Sequence, residues 1–212
     1  MSFTTPGRDA LLAATDTQVS HVGLIQSIAA WRTPTVTEAN YTSYARVAVT
    51  FGAAGDTTPA YARKIANSGA VTFPKNTGVD QAVIGYGLYT ADTNGTLIAI
   101  GLLETDQPIA CTVLASSDVA TAYAHGLTGG ERGFIMAAPF GAVPDVYAES
   151  VAYYVITSTM TSDTFQLSST GPAGAAVAST TNGAFMFLPY TSQTISANAV
   201  PEFAVGQIIV EI

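Results

Sequence analysis

Short segments in which apolar and polar residues alternate dominate the chain and predict β-strands. In the first half they cover residues 21–29, 43–51, 69–73, 82–90 and 97–103. A second set covers residues 134–138, 151–157, 164–169, 174–179 and 184–188, and the last segment, 202–212, alternates to the final residue. Gly, Pro, Asp and Ser separate the strands at spacings of roughly 8 to 15 residues, which favours antiparallel β-sandwiches or small barrels. We therefore expect an all-β fold.

Local signals predict one helix and one hairpin. Thr5 can cap a short N-terminal helix, Pro6 suits its first turn, and residues 10–14 are good helix formers. Between two apolar runs lies Asn94-Gly95, and both residues tolerate positive φ, so a tight hairpin is predicted there. The Gly85-Tyr86-Gly87 sequence lacks the third glycine and following helix of a dinucleotide-binding loop. It is interpreted as strand.

The charge balance excludes several classes of partner. The 212 residues include 7 Lys and Arg against 15 Asp and Glu, a net charge of −8, and only 10% are charged. No cationic stripe is present, so nucleic acid and membrane surfaces are not expected as partners. No run approaches the ~20 apolar residues of a membrane helix. Arg8 and Asp9 stand where a signal peptide would be apolar, so no signal peptide is expected.

Residues with catalytic or metal-binding chemistry are sparse. His21 and His125 have no second His or Cys at metal spacing and are expected at a strand edge or turn. The segment that begins at Asp92 opens like a calcium loop, but it lacks the later Asp and the Glu at the twelfth position. Cys111 lies among small apolar residues and is expected to be a buried hydrophobe. We therefore predict no catalytic, cofactor-binding or metal-binding residues, and no cofactor.

Acidic and aromatic residues leave alternatives open. Four carboxylates could converge in space as a glycosidase pair without a linear trace: Glu131, Asp145, Glu149 and Asp163. Four aromatic residues stand at expected core positions: Tyr153, Phe165, Phe185 and Phe187. Four tyrosines, if exposed, could stack on sugars: Tyr41, Tyr61, Tyr147 and Tyr190.

An ordered set of motifs resembles a known family. Tyr44-Ala45-Arg46 precedes a β segment that ends at Phe51, and Asn67-Ser68 precedes a second that ends in Phe73-Pro74. A Gly-Leu-aromatic strand and a hairpin follow, and a short helix leads into His21-Val22-Gly23-Leu24. Over residues 8–110, and again at 194–212, the chain resembles small phage tail-fibre-like and minor tail proteins.

A second set of motifs lies between these two parts. His125-Gly126-Leu127, a Tyr153-Tyr154-Val155 strand and an Asp-x-Phe-Gln strand at residues 163–166 resemble a β module of phage tail and baseplate proteins. We therefore expect a discontinuous β domain at residues 1–110 plus 191–212. A second β domain, residues 111–190, is expected to be inserted into it.

The resemblance implies a non-enzymatic structural protein on the exterior of a bacteriophage virion, made in the host cytoplasm. Its expected partners are other virion proteins, either the major capsid protein or tail proteins, and further copies of itself, commonly as a trimer. A capsid decoration protein and a tail-fibre or minor tail component both remain open. The alternative function is that of a glycan-binding module for host attachment. A glycoside hydrolase is the third and least favoured hypothesis.

Overall fold

The computed structural model describes residues 4–30, 35–57, 62–103, 108–115, 118–138, 141–149 and 151–211. The chain divides into two compact units. The first comprises Met1–Ser27, Thr37–Gly101 and Gln193–Ile212, and the second comprises Ile28–Val36 and Leu102–Ser192. Strands dominate both, so the predicted all-β class is confirmed. No helix in the described ranges has the length and apolar character that crossing a membrane requires.

The elements follow one another as a helix and a long series of short strands. In chain order they are α1 (Thr5–Gln18), β1 (His21–Ala30), β2 (Thr35–Glu38), β3 (Val47–Ala48), β4 (Gly55–Asp56), β5 (Arg63–Ala66), β6 (Val71–Thr72), β7 (Gln81–Val83), β8 (Gly85–Tyr89), β9 (Leu97–Leu102), β10 (Ile109–Val113), β11 (Val119–Thr121), β12 (Arg132–Ala137), β13 (Ala152–Val155), β14 (Thr164–Ser168), β15 (Gly183–Tyr190), β16 (Gln193–Ile195), β17 (Glu202–Phe203) and β18 (Ile209–Glu211).

Helix α1 begins one residue earlier than its predicted cap implies. Thr4 is the N-cap, with extended backbone, and its hydroxyl accepts a hydrogen bond from the Gly7 N–H at 3.4 Å. Thr5 already has helical geometry, so the prediction that Thr5 caps the helix was wrong. Leu12 is fully buried. Arg63 on β5 donates to the Asp9 carboxylate at 2.7 Å, which fastens the helix to the sheets of the first unit.

Most residues of a five-stranded sheet belong to the first unit, and its order is β2-β1-β8-β9 with β3 against β1. Strands β1 and β8 are antiparallel, with His21 opposite Tyr89. The predicted hairpin between β8 and β9 is confirmed, because the Thr90 N–H donates to the Thr96 carbonyl and Asn94 has a φ of 55°. The predicted strand at 43–51 is reduced to β3, since Tyr44 closes a turn by donating its N–H to the Tyr41 carbonyl.

The C-terminal segment pairs with strands that lie far earlier in the sequence. Strands β16, β17 and β18 are antiparallel to β7, β6 and β5 respectively. The prediction of one strand over residues 202–212 was wrong, because a turn at Gly206, with φ of 82°, separates β17 from β18. The Gly206 N–H donates to the Asn67 carbonyl there instead of continuing a ladder.

The second unit contains a closed six-stranded barrel in the order β10-β11-β14-β13-β12-β15. Its core confirms the predicted aromatic positions, since Tyr153, Phe165, Phe185 and Phe187 are all at most 2% exposed. The predicted strand at residues 174–179 does not form. The barrel closes through β15, which pairs with both β10 and β12, and Val177 keeps only a single backbone hydrogen bond to Leu167.

Candidate functional site

A polar cluster gathers beside the sheet of the first unit. Glu38 ends β2, and Arg46 reaches it with two nitrogens: Nη2 donates to Oε1 at 2.6 Å and Nε to Oε2 at 3.0 Å. The Tyr44 hydroxyl donates to Glu38 Oε2 at 2.9 Å and accepts the Leu24 N–H at 2.9 Å. The Arg46 guanidinium lies 3.5 Å above the Tyr89 ring centroid. These contacts join a β1 amide, the end of β2 and the end of β8.

The electrostatics of this cluster favour the charged forms of Glu38 and Arg46 at neutral pH. Burial alone would raise the pKa of Glu38, but hydrogen bonds from Arg46 and Tyr44 outweigh it and hold that pKa below its ordinary value. Burial and the neighbouring carboxylate raise the pKa of Tyr44, so its hydroxyl remains a donor. A Cβ at Gly23 would lie 2.6 Å from Glu38 Oε2 and 2.8 Å from the Tyr44 oxygen. The glycine in β1 therefore makes room for the cluster.

The hydrogen bonds of the cluster have a structural role. Its charges and hydroxyl donor are used within the cluster, and Arg46 also donates to the Ala91 carbonyl at 3.1 Å. The surface above it is an open depression of about 470 Å³, which Arg46, Asp92 and Asn94 help to line. A carboxylate with a lowered pKa that is bonded to guanidinium is a poor proton acceptor. The arrangement fixes residues 39–46 against the sheet and supplies no catalytic base.

A second feature is a groove at one end of the barrel. Residues 108–110 and 122–125 line it, and its volume is about 630 Å³. Tyr123 stands in it with 89% of its surface exposed, beside three alanines of the lining: Ala110, Ala122 and Ala124. The start of β14 holds the Tyr123 loop, because Asp163 accepts the Ala122 N–H through its carbonyl and the Ala124 N–H through its carboxylate, both at 2.9 Å.

His125 ends the groove and is fixed by its own turn. Its Nδ1 accepts the Leu127 N–H at 3.0 Å, so Nε2 carries the proton in the neutral ring. Nε2 is buried and has no hydrogen-bond partner in the described ranges. The ring packs edge-to-face on Phe165, with centroids 5.1 Å apart. The prediction that His125 is a turn residue bonded to backbone is confirmed.

The comparison with known proteins gives a family. The family model described as podophage GP4 fiber I protein gp80 matches residues 10–128, which is more than half of the chain. The chain belongs to this family. The matched stretch begins inside α1 and includes Arg46 and Tyr123. No curated protein matches the chain, and no solved structure matches it.

Membership of the gp80 fibre family confirms the predicted resemblance to phage tail-fibre-like proteins. The chain is therefore a structural protein of a bacteriophage virion. The family is one of fibre proteins, a class that is generally non-enzymatic.

The four carboxylates that could have formed a glycosidase pair are each hydrogen-bonded to a different segment of the chain. Each accepts a hydrogen bond from a backbone N–H: Glu131 from Thr128, Asp145 from Thr180, Glu149 from Ala137 and Asp163 from Ala124. Hydrogen bonds, led by that of the Thr180 hydroxyl, lower the pKa of Asp145. In the described part of the chain, no group of three or more His, Cys, Asp or Glu side chains could hold a metal ion.

The remaining residues considered in the sequence have structural positions in strands and turns. His21 begins β1 and bonds the Ser20 hydroxyl at 2.8 Å, and Asp92 opens the hairpin turn by accepting the Thr93 N–H at 2.7 Å. Cys111 is 2% exposed, and burial raises the pKa of its thiol to about 12, as expected of a small hydrophobe. Tyr86 lies in β8, where all five residues are buried.

The prediction that exposed tyrosines could stack on sugars is wrong for three of the four residues. Tyr41, Tyr147 and Tyr190 are 4%, 7% and 6% exposed, so none presents a free ring face. Each is held by packing: Tyr41 against Tyr44, Tyr147 against Tyr153 and Tyr190 against Phe134. Tyr61 lies outside the described residues.

Sequence reasoning missed the residues that shape both features. Glu38 was not singled out, although the Tyr-Ala-Arg motif that meets it was. Tyr123 was also missed, because it lies in a turn two residues beyond β11, a strand of only three residues that gave no alternating pattern. Its place two residues before the His-Gly-Leu motif was the available signal.

Proposed function

We propose that this chain is an exterior component of a tail fibre or tail appendage, and not a capsid decoration protein. The observation that carries the proposal is the match to a family of podophage fibre proteins. A non-enzymatic role is supported by the half-buried Glu38–Arg46 pair and by the four candidate carboxylates, all of which hold other segments of the chain through hydrogen bonds. The protein works by presenting a stable surface.

The domain arrangement supports such a role. We propose that residues 111–190 form a β domain inserted into a first domain made of residues 1–110 and 191–212. The pairing of β16, β17 and β18 with β7, β6 and β5 supports this, since residues after the barrel return to the first unit. An insertion of this kind is tolerated at a surface loop whose two ends lie close together.

Homo-oligomer formation, with the trimer as the specific expectation, belongs to the same proposal. Large apolar side chains of the first unit are exposed at Val79 (75%), Val200 (54%) and Val205 (62%). A chain with a net charge of −8 repels its own copies, so uncharged surface is where copies can meet. Light scattering coupled to size-exclusion chromatography should give a mass of about three chains. A monomeric mass at every concentration would contradict this part.

The test of the main proposal is the number of copies in each purified particle. Quantitative mass spectrometry with isotope-labelled peptides of this chain and of the major capsid protein gives the ratio directly. A fibre or tail component should be present in tens of copies or fewer. Hundreds of copies would overturn the tail placement in favour of capsid decoration, and absence from particles would overturn the virion role altogether.

A further inference from the structure

An exposed guanidinium lies on the outer surface of the barrel. Arg132 is the first residue of β12. The next residue faces the interior, since a Cβ at Gly133 would lie 2.5 Å from Phe187 Cζ, and Ile135 is fully buried in the barrel core. Because successive side chains of a strand point to opposite faces, the Arg132 side chain points outward.

Two tyrosine rings flank this guanidinium. Arg132 lies directly opposite Tyr154 on β13 and Tyr190 on β15, so the three side chains form one row across adjacent strands. The guanidinium carbon is 5.0 Å from the Tyr154 ring centroid and 5.8 Å from that of Tyr190. Tyr190 is itself fixed, because its ring stacks on Phe134 with the centroids 4.9 Å apart. Attraction between a cation and aromatic faces holds the guanidinium in this row and uses none of its N–H groups.

The N–H groups of Arg132 are unused. Across the residues that the structure describes, its guanidinium donates no hydrogen bond and lies in no ion pair. Arg46 and Arg63, by contrast, each donate to a carboxylate. The neighbouring Glu131 carboxylate accepts the Thr128 N–H at 2.9 Å. The planar fork of donors in Arg132, which matches the two oxygens of a carboxylate, is therefore open to a partner.

We propose that Arg132, flanked by Tyr154 and Tyr190, is a docking point for an Asp or Glu side chain of a neighbouring virion protein. The carboxylate would accept two parallel hydrogen bonds from the guanidinium, and the tyrosines would supply aromatic contact area beside it. Arg and Tyr are the residue types enriched at the energetic centres of protein interfaces, where other charged residues are depleted.

The charge of the chain favours a single carboxylate over other anionic partners. A nucleic acid presents many phosphates and would be repelled by the net charge of −8, whereas one carboxylate needs only one local cation. A second copy of the chain is a poorer occupant, because two chains of charge −8 repel each other and are expected to meet at uncharged surface.

The inference deepens the proposed function and rests on it, since it needs a neighbouring protein in the particle. The two can fail separately. Absence of the wild-type chain from particles would overturn the proposed function, whereas presence of wild type and Arg132 variants in equal amounts would overturn this inference alone. Arg132 lies beyond the family match, which ends at residue 128.

The first experiment measures incorporation of variant chains into phage particles. Copies per particle are counted with isotope-labelled peptides for wild type, Arg132→Gln and Arg132→Glu. Loss of one partner of a charge pair mainly speeds dissociation, so Arg132→Gln should lower the copy number at least about threefold and Arg132→Glu at least about tenfold. Incorporation of both variants at the wild-type level would overturn the proposal.

Matched controls separate docking from folding and from net charge. Lys75→Glu makes the same change in charge at an exposed residue of the first unit and should leave the copy number unchanged. An equal loss for Lys75→Glu would overturn the proposal in favour of a general charge effect. The purified Arg132 variants should melt close to the wild type by circular dichroism, because the side chain is exposed and makes no hydrogen bond. Their mass by light scattering should also equal that of wild type, and a change in mass would overturn the proposal in favour of contact between copies.

The second experiment identifies the docked group and does not depend on loss of binding. Arg132→Lys keeps the charge and places a primary amine in the row, and a carbodiimide joins an amine only to a carboxylate in direct contact with it. Treated particles should yield a cross-linked peptide that joins position 132 to an Asp or Glu of another virion protein. A cross-link to a second copy of this chain, or no cross-link at position 132, would overturn the proposal.

Discussion

Replacing Asn67 with alanine should strongly destabilise the first unit. Asn67 is 1% exposed, and its side chain makes three hydrogen bonds: Nδ2 donates to the carbonyls of Gly69 and Ala204 at 2.8 and 2.9 Å, and Oδ1 accepts the Ile208 N–H at 2.8 Å. Each buried group left without a partner costs about 1–3 kcal/mol. Because relaxation and water relieve part of that cost, the expected loss in free energy of unfolding is about 3 kcal/mol.

Urea unfolding followed by far-UV circular dichroism measures this loss, and hydrogen exchange locates it. The Ile208 amide should exchange much faster in Asn67→Ala, since its acceptor is gone. Asn40→Ala is the matched control, because Asn40 is exposed and its side chain accepts a hydrogen bond from the Gln81 amide. It should cost less than about 1 kcal/mol. A loss below 1 kcal/mol for Asn67→Ala, or unchanged exchange at Ile208, would refute the claim that this side chain anchors the C-terminal segment.

Three further predictions follow from pKa shifts and packing. The pKa of Glu38 is lowered from 4.5 in the folded state, so the charged carboxylate stabilises the protein above pH 4.5 and this contribution is lost as the pH falls through the folded pKa. The melting temperature should therefore fall more steeply below pH 4.5 in wild type than in Glu38→Gln. Gly133→Ala places a Cβ 2.5 Å from Phe187 Cζ in the barrel and should cost about 1–3 kcal/mol in urea. The Cys111 thiol, whose pKa burial raises to about 12, should react with a disulfide reagent only slowly until urea unfolds the barrel.

Each of these three predictions has a measurable outcome that would contradict it. Parallel curves of melting temperature against pH for wild type and Glu38→Gln would mean that Arg46 and Tyr44 do not stabilise the charged carboxylate. Gly55→Ala is the control for the barrel glycine, since nothing lies within 4 Å of its Cβ, and equal costs for both would contradict the packing argument. Immediate labelling of Cys111 in the native protein would show that the thiol is accessible.

The parts of the fold that depend on neighbouring residues were predictable. The Asn94-Gly95 turn, the first-turn Pro6 and the barrel strands β12 to β15 are encoded within a few residues, and the structure has them close to where the sequence places them. The barrel strands β10 and β11 were not predicted. The buried phenylalanines of β14 and β15 follow from the same alternation. The segment at 174–179 has strand composition but no ladder to join, because β10 and β12 already occupy both sides of β15.

The parts that depend on distant residues left no local trace. Asn67 and Ile208 are 141 residues apart, and Asn76, which is fully buried, donates to the Ile195 carbonyl 119 residues away. A buried asparagine looks the same in sequence as one in an exposed turn. The tyrosines that were expected to be exposed were misjudged for the same reason, since Tyr41 packs against Tyr44 and donates a hydrogen bond to the Pro74 carbonyl.

The central claim, that the chain is part of a tail fibre or appendage, is tested most directly by imaging particles with and without it. Electron cryomicroscopy of wild-type phage and of phage in which the coding sequence is deleted gives a difference map. The account predicts that the lost density is confined to the tail region, with the capsid surface unchanged. Density lost across the capsid lattice, or no difference between the two particles, would contradict it.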